Sequence, residues 1–273
     1  MKFLKRSKSS LFKIFIFGAC LLFIFSNFNT KLSILSLSKV IEVFNGDFYS
    51  DLSEIKVSEY LFLYDCMESK SDIDEVIYIL ENKCSIPMKM LKITDIRKPQ
   101  IRLLSKFNKQ YSESLGYVYF HNNVITILNS TAVSDISNLD KNEKFTELVS
   151  HEYTHFLINS KLKENKLFPK TIPLWFNEGI AEYVGISSRN GYIPETLETT
   201  VKLSDINDIF NDNPDLFYNQ SVIFVSYLIR NYGYEVIGSI LDSLKKNNFE
   251  EAIKVVTGEN INDISNKLFN LDY

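Results

Sequence analysis

Cysteine is scarce in this sequence, with three residues among 273. Cys20 lies inside an apolar run, so Cys66 and Cys84 are the only thiols available to a folded domain. Two cysteines are too few for the disulfide framework of a small secreted protein, and their separation fits no cysteine zinc site. A single bridge between Cys66 and Cys84 in oxidising surroundings stays open.

Acidic residues outnumber basic ones beyond the first residues. The first 30 residues contain five basic side chains and no acidic one: Lys2, Lys5, Arg6, Lys8 and Lys13. Removing these five from the net charge of −4 leaves −9 for 31–273, where no basic cluster occurs. This balance argues against nucleic acid or an anionic membrane face as a partner of that part of the chain.

The basic residues precede a run without charge from Ile14 to Thr30, rich in Phe, Ile and Leu. The run is short for a membrane-spanning helix and long for the apolar core of a signal peptide, and no small-x-small cleavage site follows it. We therefore predict a cytoplasmic basic tip and transmembrane anchor over 1–30 and a connecting segment over 31–57. The rest of this single-pass protein then lies outside the cytoplasm, and a secreted protein is the alternative if the segment is cleaved.

Histidine is equally rare, yet two of the three occur in the motif HEYTH, residues 151–155. On a helix, His151 and His155 share one face, and both rings can bind one Zn²⁺. Glu152 lies about 100° round the helix and can take a proton from a water on the metal. The alternative is a buried helix with two core histidines. His121 falls in a predicted turn and is left out of the site.

Helix signals surround this motif. Asp140 followed by Glu143 predicts a capping box, and an apolar face continues through the segment, so 141–162 is predicted to be a buried helix. Ile158 and Lys161 stand where a metzincin would have glycine and histidine, which excludes that class. A third ligand must come from elsewhere in the chain.

The segment PLWFNEGIAEYVG, residues 173–185, offers this ligand. We predict a helix that starts at Pro173 and stops at Gly185. Glu178 and Glu182 lie one turn apart, so one can bind the metal while the other hydrogen-bonds the far nitrogen of a ligating histidine. Gly179 predicts close helix packing, because glycine is unfavourable in a helix interior. An ordinary helix with two solvated glutamates is the alternative.

Together, HEYTH and WFNEGIAEY resemble the gluzincin metallopeptidases. They are most similar to small bacterial MA-like peptidases related to the catalytic core of the M1 aminopeptidases, whose second motif is W-x-N-E-G-x-A. The resemblance implies one zinc ion held by His151, His155 and Glu178, with Glu152 as general base and Glu182 as hydrogen-bonding partner of a ligand histidine. The interval between the motifs is longer than in the M1 enzymes, and the extra length falls in KENKLFPKTIP.

The resemblance also implies a fold for 58–273. That fold is α+β, a thermolysin-like zincin domain with a small mixed sheet in its N-terminal half and a helical C-terminal half. Tyr218 stands where the M1 relatives place a tyrosine that donates its hydroxyl to the oxyanion, although Gln220 and Ser221 replace the lysine and glycine of that motif. The segment GYVYFHNNVITIL resembles the edge strand beside the zinc helix, which could bind an extended peptide by adding a strand.

These observations predict a membrane-anchored zinc metallopeptidase that hydrolyses peptide bonds in a peptide or protein substrate. The absence of a clear GAMEN motif favours endopeptidase action. A catalytically silent zinc-fold protein that binds partners at the cell surface is the alternative, and the presence of Glu152 argues against it. A zinc hydrolase that acts on a non-peptide amide or a cell-wall peptide remains a third reading.

Overall fold

The computed structural model describes residues 49, 51–107, 115–120, 122–134 and 140–269. The fold below belongs to one compact unit, formed by Ser53–Ser105 and Leu115–Tyr273. The predicted anchor within 1–30 lies outside the described residues. Among the helices that are described, none is long and apolar enough to cross a membrane.

A five-stranded mixed sheet forms the N-terminal half of this unit. Its strands are β1 Ser53–Val57, β2 Tyr60–Tyr64, β3 Gln100–Leu104, β4 Gly116–Val118 and β5 Val124–Leu128. They lie in the order β1-β2-β3-β5-β4, with β2, β3 and β5 parallel to one another and an antiparallel strand at each edge. The central strands β3 and β5 are buried almost throughout, as expected of strands covered on both faces.

Strand β1 lies in the stretch where the sequence predicts only a connecting segment. Its residues, SEIKV, pair with β2 through a turn in which Ser58 has a positive φ of 53°. Most β1 side chains are exposed, because the strand covers an edge of the sheet. A short charged strand of this kind has no apolar pattern that separates it from a loop, so only its pairing partner reveals it.

Helices make up the rest of the described unit. They are α1 Met67–Ser71, α2 Ile73–Asn82, α3 Ser85–Met90, α4 Ser130–Ser134, α5 Lys141–Glu164, α6 Leu174–Ser188, α7 Pro214–Tyr232, α8 Val236–Ser243, α9 Phe249–Thr257 and α10 Ile261–Phe269. Helices α1 to α3 form the crossover that two parallel strands, β2 and β3, require. The predicted α+β class, with a small mixed sheet first and helices after it, is confirmed.

Helix α5 carries HEYTH and begins where the capping signal predicts. The carboxylate of Asp140 accepts hydrogen bonds from the backbone N–H groups of Asn142 (2.9 Å) and Glu143 (3.4 Å). Near the other end, the buried Lys161 donates to Asp242 of α8 at 3.0 Å. Both ends of the helix are therefore fixed by charged groups of the sign that the helix dipole favours.

Helix α6 passes closely between α5 and α7. A Cβ atom at Gly179 would lie 2.6 Å from the backbone oxygen of Ser221 in α7, which confirms the predicted close packing. Gly185 does not stop the helix as predicted, because α6 continues to Ser188. A Cβ atom there would lie 3.1 Å from the backbone oxygen of Glu147 in α5. Gly185 is thus a second packing glycine, on the other side of the same helix.

Gly179→Ala should lower the free energy of unfolding by about 2 kcal/mol, since its methyl group meets a backbone carbonyl that cannot rotate away. Gly185→Ala is the matched control and should cost less, because its contacts are looser and alanine favours a helix by up to about 1 kcal/mol. Urea unfolding of the full chain, followed by circular dichroism, measures both. Equal effects of the two substitutions would contradict this account of α6 packing.

Candidate metal centre

The two histidines of α5 point their ring nitrogens at each other. His151 Nε2 and His155 Nε2 lie 3.1 Å apart, and the rings meet edge to face with centroids 4.8 Å apart. A neutral imidazole carries one N–H donor and one acceptor nitrogen. Two acceptor nitrogens at this distance need a proton or another cation between them.

A carboxylate from α6 completes the group. Oε2 of Glu178 lies 3.5 Å from His151 Nε2 and 3.4 Å from His155 Nε2. Neighbouring ligands of a tetrahedral zinc ion, with bonds of about 2.0–2.2 Å, lie about 3.3 Å apart. The three observed separations match this value, so the donor set fits zinc. Among the described residues, these three form the one group of His, Cys, Asp or Glu with metal-binding spacing.

Glu182 contacts the same histidine from the opposite side. Its Oε2 lies 3.3 Å from His151 Nδ1. A hydrogen bond from Nδ1–H to this carboxylate fixes the tautomer that leaves Nε2 free to face His155 and Glu178. Burial opposes ionisation of Glu182, but the interaction with His151 outweighs it and lowers the pKa of the carboxyl group. The two glutamates of α6 therefore have different contacts. Glu178 lies next to Nε2 of both histidines, whereas Glu182 lies next to Nδ1 of His151.

The electrostatics of the group favour positive charge. Burial alone would lower the pKa of His151, yet its hydrogen bonds with Glu178 and Glu182 outweigh that effect and raise the pKa well above its ordinary value. Burial likewise opposes ionisation of Glu178, but the charge of His155 and the hydrogen bond with His151 lower the pKa of this carboxyl group. Ionised carboxylates around facing imidazole nitrogens attract a cation.

Glu152 is buried next to the group, and its Oε2 has no hydrogen-bond partner among the described residues. Burial raises the pKa of this carboxyl group, against the opposing influence of His151 and His155. A buried, unpaired carboxylate oxygen is rare in native proteins and is characteristic of functional sites. It can accept a hydrogen bond from a group that the described residues do not supply.

Gly116 of the edge strand β4 makes room for Glu152. A Cβ atom at this position would lie 2.6 Å from Glu152 Cγ and 2.7 Å from Glu152 Oε1. Any side chain there would displace the carboxylate. Gly116 therefore belongs to the site, although the sequence shows it only as the first residue of a strand.

Tyr218, in the first turns of α7, faces the same carboxylates. Burial raises the pKa of its hydroxyl, and the charges of Glu178, Glu182 and Glu152 raise it further. The hydroxyl therefore stays protonated and can act as a donor. The residues that replace the lysine and glycine of the M1 motif are buried and bound elsewhere: the amide of Gln220 pairs with the backbone of Val201 at 3.0 and 2.7 Å, and the Ser221 hydroxyl donates to Phe217 O at 2.6 Å.

Two further contacts support the ligands and were not predicted. Glu147, buried one turn before His151, forms ion pairs with Lys144 and with Arg189 at the end of α6. Asn207 accepts a hydrogen bond from the Trp175 backbone N–H at 3.1 Å, which satisfies a free donor in the first turn of α6. For Glu147, the sequence signal is its spacing of one helical turn before His151. For Asn207, no local pattern in the sequence predicts the hydrogen bond with Trp175.

The remaining candidate residues from the sequence are Cys66, Cys84 and His121. Cys66 and Cys84 are both free thiols. Cys66 contacts Ser69 Oγ at 3.2 Å, and burial raises the pKa of Cys84 to about 12. The open question of a bridge between them is thus answered in the negative for this structure. His121 is outside the described residues.

The chain matches a known protein family. The sequence profile described as collagenase, Peptidase M9, matches residues 129–270, which is more than half of the chain. The chain belongs to this collagenase family. The family is one of zinc metallopeptidases, so a zinc-dependent metallopeptidase is supported. The matching profile is not that of the M1 aminopeptidases, and the predicted M1 kinship and thermolysin-like fold stay predictions.

The matched range contains α5, α6 and α7, and therefore every side chain of the metal-binding group. It begins after β5, so the edge strand β4 is outside it. The chain is also similar to a protein described as uncharacterized protein YhcO of Bacillus subtilis strain 168. It is 27% identical over 125 residues, which cover 43% of this chain and 38% of that protein. The chain thus spans well under half the length of this curated relative.

Glu178→Ala should abolish stoichiometric zinc binding, because it removes one of three ligand atoms. Glu182→Ala should weaken zinc affinity by roughly 10 to 100-fold, the usual effect of losing the partner of a ligand histidine. Glu143→Ala, an exposed glutamate on α5, is the control and should bind zinc as the unchanged protein does. Zinc content and affinity would be measured on the purified full chains. If Glu182→Ala loses the metal and Glu178→Ala keeps it, the ligand assignment is wrong by one helical turn.

Proposed function

We propose that this member of the collagenase family is a gluzincin-type peptidase that hydrolyses peptide bonds with one zinc ion. His151, His155 and Glu178 hold the ion. The observation that carries the proposal is the convergence of their three donor atoms within 3.1–3.5 Å, beside the unpaired buried oxygen of Glu152. A metal ligand set and a base without a partner are the two parts that metal-assisted hydrolysis requires.

Zinc bound there would act as a Lewis acid, polarising the scissile carbonyl and lowering the pKa of an attacking water to about 7. Glu152 accepts the proton of this water on its carboxylate and returns it to the leaving amine nitrogen. Burial raises the pKa of Glu152, and this is the direction that helps the carboxyl group to return the proton as an acid. Glu182 keeps the ring of His151 oriented through Nδ1.

Tyr218 is proposed as the hydrogen-bond donor to the oxyanion that develops on the substrate carbonyl. Its hydroxyl remains protonated because burial and three neighbouring carboxylates disfavour the phenolate. A donor placed in advance, in a site that excludes water, stabilises developing negative charge strongly. Gln220 and Ser221 replace the lysine and glycine of the M1 motif. Their side chains bond to the backbone of Val201 and Phe217, and we assign them no part in this role.

The substrate is proposed to lie beside β4, next to Glu152. This strand is at the edge of the described sheet, and Gly116 brings that edge into direct contact with Glu152. We propose that cleavage takes place within a chain, because the sequence contains no clear GAMEN motif.

A silent binding protein built on the same zinc fold is the competing function. The buried oxygen of Glu152 argues against it, because an unsatisfied buried acceptor costs about 1–3 kcal/mol of stability. A protein that needed only the metal would gain stability by replacing this carboxylate. Hydrolysis gives the unpaired oxygen a use.

Glu152→Gln should keep zinc and fold but lose at least about 100-fold in peptide hydrolysis, since an amide cannot take up the proton of the water. Tyr218→Phe should lose about 100 to 1,000-fold in kcat while zinc content stays constant, as removal of an oxyanion donor does. The test is digestion of a peptide library by the full chain, with and without a chelator. Zinc-loaded but inactive unchanged protein would support the binding protein instead, and active Glu152→Gln would contradict the assigned base.

The cellular location of the protein is also a proposal, because it rests on residues 1–30, which the structure does not describe. We expect residues 1–30 to remain attached, with the peptidase unit outside the cytoplasm. N-terminal sequencing of the protein recovered from the membrane fraction should start at Met1. A mature chain that starts near residues 27–32 would instead indicate a cleaved signal and a secreted enzyme.

A further inference from the structure

The facing sides of α5 and α6 carry a row of charged groups that continues beyond the metal centre. Glu182 lies next to His151 Nδ1, at 3.3 Å. One turn earlier in α5, the buried Glu147 contacts Lys144 Nζ at 2.5 Å. Glu147 also forms an ion pair with Arg189, at the C-terminal end of α6. Acidic and basic groups therefore alternate from the metal centre to the end of the helix pair.

The charge of Lys144 acts on both glutamates of this row. Burial opposes ionisation of Glu182, but its hydrogen bond with His151, the charge of that ring and the charge of Lys144 together lower the pKa of the carboxyl group. The ammonium group of Lys144 is nevertheless bound to Glu147. An ammonium has three donors and can serve more than one carboxylate. Loss of the negative charge at Glu147 would therefore leave Lys144 free to turn toward Glu182.

The second cation that binds Glu147, Arg189, is held away from Glu182. A Cβ atom at Gly191 would lie 2.6 Å from Arg189 Nη1, so the guanidinium group lies against the backbone beyond the end of α6. Glu182 lies two helical turns before Arg189, whereas side chains on one helix interact at a spacing of three or four residues. Of the two cations that Glu147 binds, Lys144 is therefore the one that can compete for Glu182.

We propose that Glu147 is a positioning residue of the metal centre, which holds Lys144 and so reserves the carboxylate of Glu182 for His151 Nδ1. This inference rests on the proposed zinc-binding function and adds a residue that does not touch the ion. A carboxylate bonded to Nδ1 orients the ring and makes Nε2 a better ligand. An ammonium that shared this carboxylate would weaken the bond with His151, because charged donors bind a carboxylate more strongly than neutral ones.

The test is a double-mutant cycle on the full chain, with zinc affinity measured by competition with a chromogenic chelator. Glu147→Gln keeps the shape of the side chain beside Gly185 and removes only its charge. It should weaken zinc affinity about tenfold, the lower end of the usual effect of losing the partner of a ligand histidine. Lys144→Gln alone should change the affinity by less than about twofold, and its addition to Glu147→Gln should restore the affinity to within about twofold of the unchanged chain.

The proton on His151 Nδ1 gives a second readout, by NMR of zinc-loaded chains labelled with nitrogen-15 at histidine. A hydrogen bond to a carboxylate moves this proton resonance downfield. The resonance should move upfield in Glu147→Gln and return in the double variant. Glu143→Gln removes an exposed negative charge from the same part of α5. It is the matched control and should alter neither the zinc affinity nor the resonance.

The cycle separates this role from two simpler ones. Unchanged zinc affinity in Glu147→Gln overturns the proposal. An equal loss in the double variant also overturns it, because Glu147 would then only fasten the two helices. Tighter zinc binding by Lys144→Gln, by the factor that Glu147→Gln loses, would show an effect of net charge alone, and this measurement decides even if circular dichroism shows that Glu147→Gln does not fold. Zinc binding without peptide cleavage overturns the peptidase function alone, whereas an unchanged chain that binds no zinc overturns the metal centre and this inference with it.

Discussion

The close approach of α5 and α6 is the constraint on which the metal centre depends. Both histidines belong to one helix and both supporting glutamates to the other, so the donor atoms can meet only if the two backbones nearly touch. Gly185 permits this contact on the α5 side, and Gly179 lets α7 press against the opposite side of α6. The ion pair between Glu147 and Arg189 then fixes the two helices at the far end of the same interface.

This packing brings several ionisable groups close together. Glu178 and Glu182 approach His151 from two sides, and Glu152 is buried close by. The burial of so many carboxylates opposes folding unless positive charge compensates them. In the structure, His151 provides part of that charge, because its hydrogen bonds with Glu178 and Glu182 raise its pKa. Metal binding and stability of the helix pair are thus linked, because the same atoms decide both.

The sequence predicts the parts of the site that depend on helical spacing. The two histidines, His151 and His155, are one helical turn apart, and so are Glu178 and Glu182. Each pair lies on one face of its helix, as that periodicity requires. The contributions of Gly116 and Asn207 were missed because each comes from an element whose position only the tertiary fold sets. That of Glu147 was missed because its partner Arg189 comes close only when α5 and α6 pack. Gly185 was misread as a helix stop, since a glycine near a helix end and a glycine at a helix crossing look alike in one sequence.

The proposed metal centre and the proposed substrate-binding strand occupy different parts of the chain. The collagenase profile covers 129–270 and includes all the proposed ligands, the base and the oxyanion donor. The edge strand β4, beside which we propose that the substrate lies, comes before that range. Gly116 joins the two parts, because a Cβ atom at this position would meet the side chain of Glu152. A change of Gly116 would therefore disturb the proposed base although it lies outside the helix pair that carries the proposed ligands.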